Sequence, residues 1–366
     1  MNIAFPKLGR FGSIAVIAVA GSILLSSCAA NEGGTPAEGG SDLSGTIAGA
    51  GASSQGSAQE TWQAAFQTAN PDVTVDYDPS GSGAGREAFI AGGVSFAGSD
   101  SSLKDEEIAG GFEACVPDTG YVEVPVYISP IAVIFNVEGV DTLNLDAATI
   151  AGIFKGDITK WDDAAIVALN PDASLPSGDI TAVHRSDDSG TTKNFADYLG
   201  KVAPEVWDAE AADAFPYSGG EAAHGTSGVV DAVTNGTNTI GYADASKAGD
   251  LGVAAIKVGD EFVNYTAEAA AAVVEGSPIV EGREATDLAI ALDRTTTDPT
   301  HYPLVLVSYI ITCTEFADAE VAPIVKAYVS YLASDEGQAE AASSAGAAPL
   351  SADLSAKVAT AIEAIK

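Results

Sequence analysis

Beyond residue 42 the chain repeats one local pattern: a short run of β-forming residues, a turn rich in glycine and serine, then a helix-forming stretch. Residues 43–48 read as a strand and Gly49-Ala50-Gly51-Ala52-Ser53-Ser54 as its turn. The helix that follows carries Ala58, Trp62, Ala65, Phe66 and Ala69 at three- and four-residue spacing. Residues 73–77 form a second strand, and Pro79-Ser80-Gly81-Ser82-Gly83-Ala84-Gly85 leads into Arg86-Glu87-Ala88-Phe89-Ile90. Phe96-Ala97-Gly98-Ser99-Asp100 is a third strand, ending in a carboxylate. This recurrence predicts an α/β protein whose mostly parallel sheet is flanked by helices on both faces. Ligands of such sheets bind beyond the carboxyl ends of the strands, where Ser53, Ser82 and Asp100 fall. An apolar content of 46% supports a large core, and the length exceeds one typical domain.

One further strand–turn–helix junction carries charge. Ala182-Val183-His184-Arg185-Ser186-Asp187-Asp188-Ser189-Gly190-Thr191-Thr192 closes a β-like run (180–183) and opens a helix-like one (193–199). A helix start presents unpaired N–H groups and the positive end of the local dipole. Arg185 adds a permanently charged fork, and Ser189 and Thr191 add hydroxyl donors, so the segment has the parts to grip a tetrahedral oxyanion. The alternative is a serine cap on a surface helix beside an ordinary Arg–Asp pair. Arg86, just past the second turn, is a rival cationic anchor, whereas His184 reads as packing.

The start of the chain speaks to location. Lys7 and Arg10 precede an apolar run (11–25) that ends in Leu25-Ser26-Ser27-Cys28, the pattern of a bacterial lipobox. So short a run reads as a secretory signal (1–27) and not a membrane span. A diacylated, palmitate-type anchor on Cys28 would hold the protein on the extracytoplasmic face of the cell membrane. Residues 28–42, poor in bulky side chains, read as a flexible tether. With 51 acidic against 16 basic residues and a formal charge of −35, the chain is a poor fit to nucleic acid or anionic lipid. An anion site here must rely on local, desolvated donors. Cys115 and Cys313 remain as the other cysteines, either bridged, as an exported compartment permits, or as two buried thiols. His184, His224 and His301 show no metal-ligand spacing, so no metal or cofactor is expected.

In order along the chain, these segments resemble the phosphate-binding lipoproteins of the high-affinity phosphate ABC importer. The resemblance rests on Gly49-Ala50-Gly51-Ala52-Ser53, Gly81-Ser82-Gly83-Ala84-Gly85, Phe96-Ala97-Gly98-Ser99-Asp100 and Arg185-Ser186-Asp187-Asp188-Ser189-Gly190-Thr191. Ile150-Ala151-Gly152-Ile153-Phe154-Lys155-Gly156, Lys160-Trp161-Asp162-Asp163 and Ile240-Gly241-Tyr242 add to it. It implies a two-lobed periplasmic-binding-protein fold of type II, with lobe I at 43–127 plus 302–366 and lobe II at 128–301. By position, Ser53 and Ser82 match hydroxyl donors, Ser54 a backbone N–H donor, and Asp100 the carboxylate that accepts a proton from the ligand. Arg185 matches the cationic anchor, Asp187 the carboxylate holding it, and Ser189, Gly190 and Thr191 the remaining donors. The implied partners are phosphate and the permease and ATPase subunits of the importer, and a monomer is expected.

The chemistry of Asp100 favours phosphate independently. Phosphate near neutral pH retains a proton, sulfate has none, and a buried carboxylate facing sulfate would oppose lone pair to lone pair. Leaving such an acceptor unpaired costs on the order of 1–3 kcal/mol. The alternatives are a receptor for another tetrahedral oxyanion (sulfate, molybdate, a phosphonate) or a secreted phosphatase. No Gly-x-Ser-x-Gly elbow and no Gly-Lys-Ser/Thr loop occurs, so a binder and not an enzyme is expected.

Overall fold

The computed structural model describes residues 43–366. The leader, the Cys28 lipidation site and the tether lie outside the described residues. The first three strands are β1 (Gly45–Gly51), β2 (Val73–Asp78) and β3 (Phe96–Ser99), with β1 central and parallel to both neighbours. Two helices, Gly56–Ala69 and Ser82–Ile90, make the crossovers. On the first, Ala58, Trp62 and Phe66 are buried as expected, while Ala65 is half-buried and Ala69 exposed. The stripe is shifted because Gln59 takes part in it, its amide bonded inward to Gln55. Trp62 is fully buried, and truncation of so large a core side chain typically costs about 3–5 kcal/mol.

The long strand β4 (Tyr121–Asn136) then runs through the whole molecule. It is followed by β5 (Asn144–Leu145), β6 (Thr181–Arg185), β7 (Glu221–Ala223), β8 (Thr239–Asp244), β9 (Gly252–Val253), β10 (Ala255–Val258), β11 (Glu261–Val263) and β12 (Val305–Cys313). The main sheet has the order β2-β1-β3-β12-β4-β8-β6-β7, with β9 beside β4, and β11-β10-β5 form a small separate sheet. β4 joins two half-sheets by changing partner: residues up to Pro130 pair with β12, and those from Ile131 pair with β8. Within each half the βα units keep the strands parallel (β2, β1, β3; and β8, β6, β7), while β4 and β12 return antiparallel. The result is a two-lobed α/β molecule, each lobe a mixed sheet flanked by helices.

The end of the chain packs back on its beginning. Helix Ala322–Leu332 buries Ile324, Val325, Tyr328 and Leu332, and the Tyr328 ring meets Phe66 edge-on at 5.1 Å. Cys115 and Cys313 are joined as a disulfide, tying the end of β12 to the loop before β4. No helix among the described residues is long and apolar enough to cross a membrane.

Candidate functional site

The carboxyl ends of β1, β3 and β6 and the starts of three helices converge on Asp100. Directly after β3, this residue is 4% exposed and its carboxylate accepts three hydroxyls. Ser54 and Ser308 donate to Oδ1 at 2.6 Å each, and Thr191 donates to Oδ2 at 2.9 Å. Its backbone N–H donates to Ser82 Oγ at 3.1 Å, so the proton of that serine stays available for another acceptor. Burial pushes the Asp100 carboxyl above its ordinary range, with the three hydroxyls and the charge of Arg185 pulling the other way.

Arg185 ends β6 and is 3% exposed. Its Nε donates to Asp187 Oδ1 at 2.8 Å and its Nη2 donates to Oδ2, a forked pair that fixes the guanidinium rotamer. The other edge of the fork, through Nη1, has no bond to a described residue and can take a second acceptor. Burial pushes the Asp187 carboxyl up, but Arg185 and the Gly225 N–H, which donates to Oδ1 at 3.0 Å, hold it below the ordinary range. Two residues on, Ser189 caps the helix Gly190–Val202, its Oγ accepting from Thr192 N at 3.2 Å. The first N–H groups of this 13-residue helix, on Gly190 and Thr191, have no carbonyl to meet within the helix. The arrangement offers a charged fork and free helix N–H groups next to an acceptor carboxylate.

Close contact between the half-sheets is built into the glycines. Gly81 sits at φ +105°, and a Cβ there would lie 2.5 Å from Asp187 Oδ2. At Gly190 a Cβ would lie 2.7 Å from the Asp100 Cβ. Across the same junction Gly83 N donates to Asp188 O at 3.0 Å, and Asn194 Nδ2 donates to Asp100 O at 2.8 Å.

The structure therefore gathers the sequence-predicted residues, with changes of detail. Ser53 Oγ accepts the Thr226 N–H at 3.0 Å and lies 2.9 Å from Thr226 Oγ1, at the start of helix Gly225–Asn235. Ser54, expected to offer its backbone N–H to a ligand, also commits its hydroxyl to Asp100. Thr191 likewise directs its hydroxyl to Asp100. The rival anchor Arg86 is committed elsewhere: Nε bonds Glu107 at 3.1 Å, Nη1 bonds Ser99 at 3.0 Å and Nη2 bonds Asp213 at 2.7 Å. His184 packs, its ring stacked on Phe215 at 4.0 Å. Sequence reasoning missed Ser308, Thr226, Asn194 and Asp213. Gly225-Thr226-Ser227-Gly228 carries the same helix-start signal as Ser189-Gly190-Thr191, and Ser308 is the one serine of a mostly apolar strand. Nothing local marks Asp213. A cavity of about 200 Å³ also reaches Asp100, but Lys193, Asn194, Arg294 and Tyr309 bound it, not Ser53, Ser82 or Arg185.

Comparison with known proteins places the chain in a family. A model of the PBP superfamily domain matches residues 36–336. Phosphate-binding protein PstS 3 of Mycobacterium tuberculosis (strain ATCC 25618 / H37Rv) is 34% identical over 338 residues, 88% of this chain and 90% of that protein. Phosphate-binding protein PstS 2 of the same strain is 32% identical over 378 residues, 98% of this chain and all of that one. Among solved structures, a high affinity periplasmic phosphate-binding protein (PfluDING) bound with phosphate superposes with a TM-score of 0.69 at 23% identity, over 86% of this chain and 93% of that one. The ancestral soluble variant of the human phosphate binding protein superposes at 0.70 with 22% identity, over the same shares.

Proposed function

Because the chain belongs to the PstS family of phosphate-binding proteins within the PBP superfamily, we propose that it is an extracytoplasmic receptor that binds inorganic phosphate between its lobes and delivers it to an ABC-type phosphate permease. Its fold is the two-lobed, type II periplasmic-binding-protein fold. The observation that carries the reading is the opposition of the Arg185–Asp187 pair and the start of helix Gly190–Val202 to the Asp100 carboxylate. The first two attract an anion, and the third accepts a proton that phosphate has and sulfate lacks. Ser53, Ser82, Ser189 and the N–H groups of Ser54, Gly190 and Thr191 complete the ligand set. Thr191 reaches it beside Asp100.

Lobe I in this reading is residues 43–127 plus 302–366, and lobe II is residues 128–301. The change of partner along β4 between Pro130 and Ile131 supports the first crossing. Only lobes closed on each other bring Asp100 and Arg185 onto one ligand, so binding stabilises closure, the form a permease would select. Anchoring through a lipidated Cys28, in a monomer tethered by residues 28–42, would keep the receptor beside its permease and ATPase partners.

Equilibrium dialysis of the full-length protein and Arg185→Met against labelled phosphate tests the proposal. Saturable one-to-one uptake should weaken at least a hundredfold in the variant, since losing a forked, charge-assisted contact costs about 3 kcal/mol. Equal uptake by both proteins would overturn it.

A further inference from the structure

A buried chain of hydroxyl and amide groups ends on Asp100. Tyr328 OH donates to Gln59 Oε1 at 2.7 Å, and Gln59 Nε2 donates to Gln55 Oε1 at 2.9 Å. Gln55 Nε2 donates to Ser308 Oγ at 2.7 Å, and Ser308 Oγ donates to Asp100 Oδ1 at 2.6 Å. All five residues are at most 4% exposed. The direction of the chain is fixed by the protein itself. Gln55 Nε2 also donates to the Tyr309 carbonyl at 3.2 Å, and a carbonyl can only accept, so the Gln55 amide cannot be turned round. Ser308 thus accepts a hydrogen bond from Gln55 and donates its own to Asp100. A break in the β12–β4 register falls between Ser308 and Tyr309, the kind of irregularity that re-aims a side chain out of a ladder.

The count of lone pairs then decides what a ligand meets. Each carboxylate oxygen can accept about two hydrogen bonds. On Asp100, Oδ1 already takes Ser54 and Ser308, while Oδ2 takes Thr191 alone. We infer that Ser308, aimed by Gln55, is a positioning residue that sets the specificity of the site. With Ser54 it fills Oδ1 with donated protons, leaving one lone pair on Oδ2 as the acceptor a ligand meets, so that only an oxyanion bringing a proton is admitted. The oxyanion class rests on the receptor reading above, whereas the hold of Ser308 on Asp100 does not.

The balance at Asp100 is consistent with this. Burial raises its carboxyl, and Ser308 heads the groups that lower it, ahead of Ser54, Thr191 and the Arg185 charge. Tyr77 and Asp244 are the further titratable groups coupled to it, and Lys193, Arg294 and Tyr309 line the adjoining cavity. Replacing Ser308 alters none of these. Without its hydroxyl, Asp100 takes up a proton more readily, becomes a donor through Oδ2, and can then hold sulfate.

The test is calorimetric titration of the full-length protein, Ser308→Ala and Ser308→Thr with phosphate and with sulfate from pH 5 to pH 8. Ser308→Ala should lower the phosphate-to-sulfate affinity ratio at least tenfold at pH 5 and approach the parent at pH 8, with Ser308→Thr restoring the parent profile. A ratio within twofold of the parent at every pH would overturn the inference. Carbon-13 NMR of the Asp100 carboxyl without ligand supplies the independent arm. Its midpoint should rise in Ser308→Ala, and in Gln55→Met if the first variant does not fold. An unmoved midpoint overturns the inference whatever binds. A midpoint that moves in a protein binding no oxyanion would remove the receptor reading and leave Ser308's hold on Asp100 standing.

Discussion

At the scale of single residues the site is a contest over where one proton sits. Asp100 faces a cationic fork and three hydroxyl donors, all of which favour its charged form against the burial that opposes it. Asp100→Asn keeps the shape and removes the charge, and its amide can donate as well as accept. The variant should bind phosphate somewhat more weakly but lose most of its discrimination against sulfate, by about ten- to a hundredfold, in competition measurements. Unchanged rejection of sulfate would show that Asp100 does not filter the ligand. Most of this chemistry was legible in the sequence, because Arg185, Asp187, Ser189 and Thr191 stand within one helix-start signal. The rest was not, because the partners that finish the site come from far away. Ser308 is 208 residues from Asp100, Thr226 is 173 from Ser53, and Asp213 is 127 from Arg86. Hydroxyls and carboxylates so separated leave no local pattern.

At the scale of elements, turn chemistry and helix periodicity made β1, β2, β3 and the helices between them readable, as the three-residue units Gly-Ser-Gly and Ser-Gly-Thr mark where strands give way to helices. Boundaries moved by a few residues: β1 extends to Gly51, and the helix after β6 begins at Gly190, three residues before the helix-like run read at 193–199, because Ser189 caps it. The sharing of β4 between two half-sheets was not readable from spacing, since apolar residues run through both halves and only the return of β12 and β8 distinguishes them. Near that change of partner, Asp244 ends β8, fully buried. It accepts the Ser246 N–H at 3.0 Å and the Tyr127 hydroxyl at 3.1 and 3.2 Å. Burial raises its carboxyl to about 6. A raised folded-state value means the native state holds the proton more tightly than the unfolded chain. This group's stabilisation is therefore complete below its ordinary value of 3.8 and is lost as pH rises through about 6. Asp187 and Asp213, held low, act in the opposite sense, contributing above their ordinary range and losing that contribution as pH falls. Urea unfolding between pH 4 and pH 6 should show a shallower pH slope from this group's loss in Asp244→Asn than in the parent. Identical slopes would mean that Asp244 stays charged in the native state.

At the scale of the whole molecule, a formal charge of −35 opposes the approach of any anion. Screening confines that repulsion to about 8 Å at physiological ionic strength, so it acts on encounter, while the contacts that hold a ligand lie well inside it. The two halves also grip each other outside the site. Arg86, on the helix after β2, reaches Asp213 beyond β6, and the same carboxylate takes the Ser101 hydroxyl. A buried ion pair thus joins the two halves independently of any ligand. Removing Asp213 would leave the buried Arg86 with Glu107 as its one counter-ion among the described residues, and removing Arg86 would leave Asp213 with Lys104 at 3.9 Å. A closed two-lobed receptor selective for protonated phosphate can be put to the test by calorimetric titration of the full-length protein at neutral pH with phosphate, sulfate and molybdate. Phosphate should bind one-to-one, with sulfate silent. Sulfate or molybdate binding more tightly than phosphate, or no heat from any of the three, would contradict it.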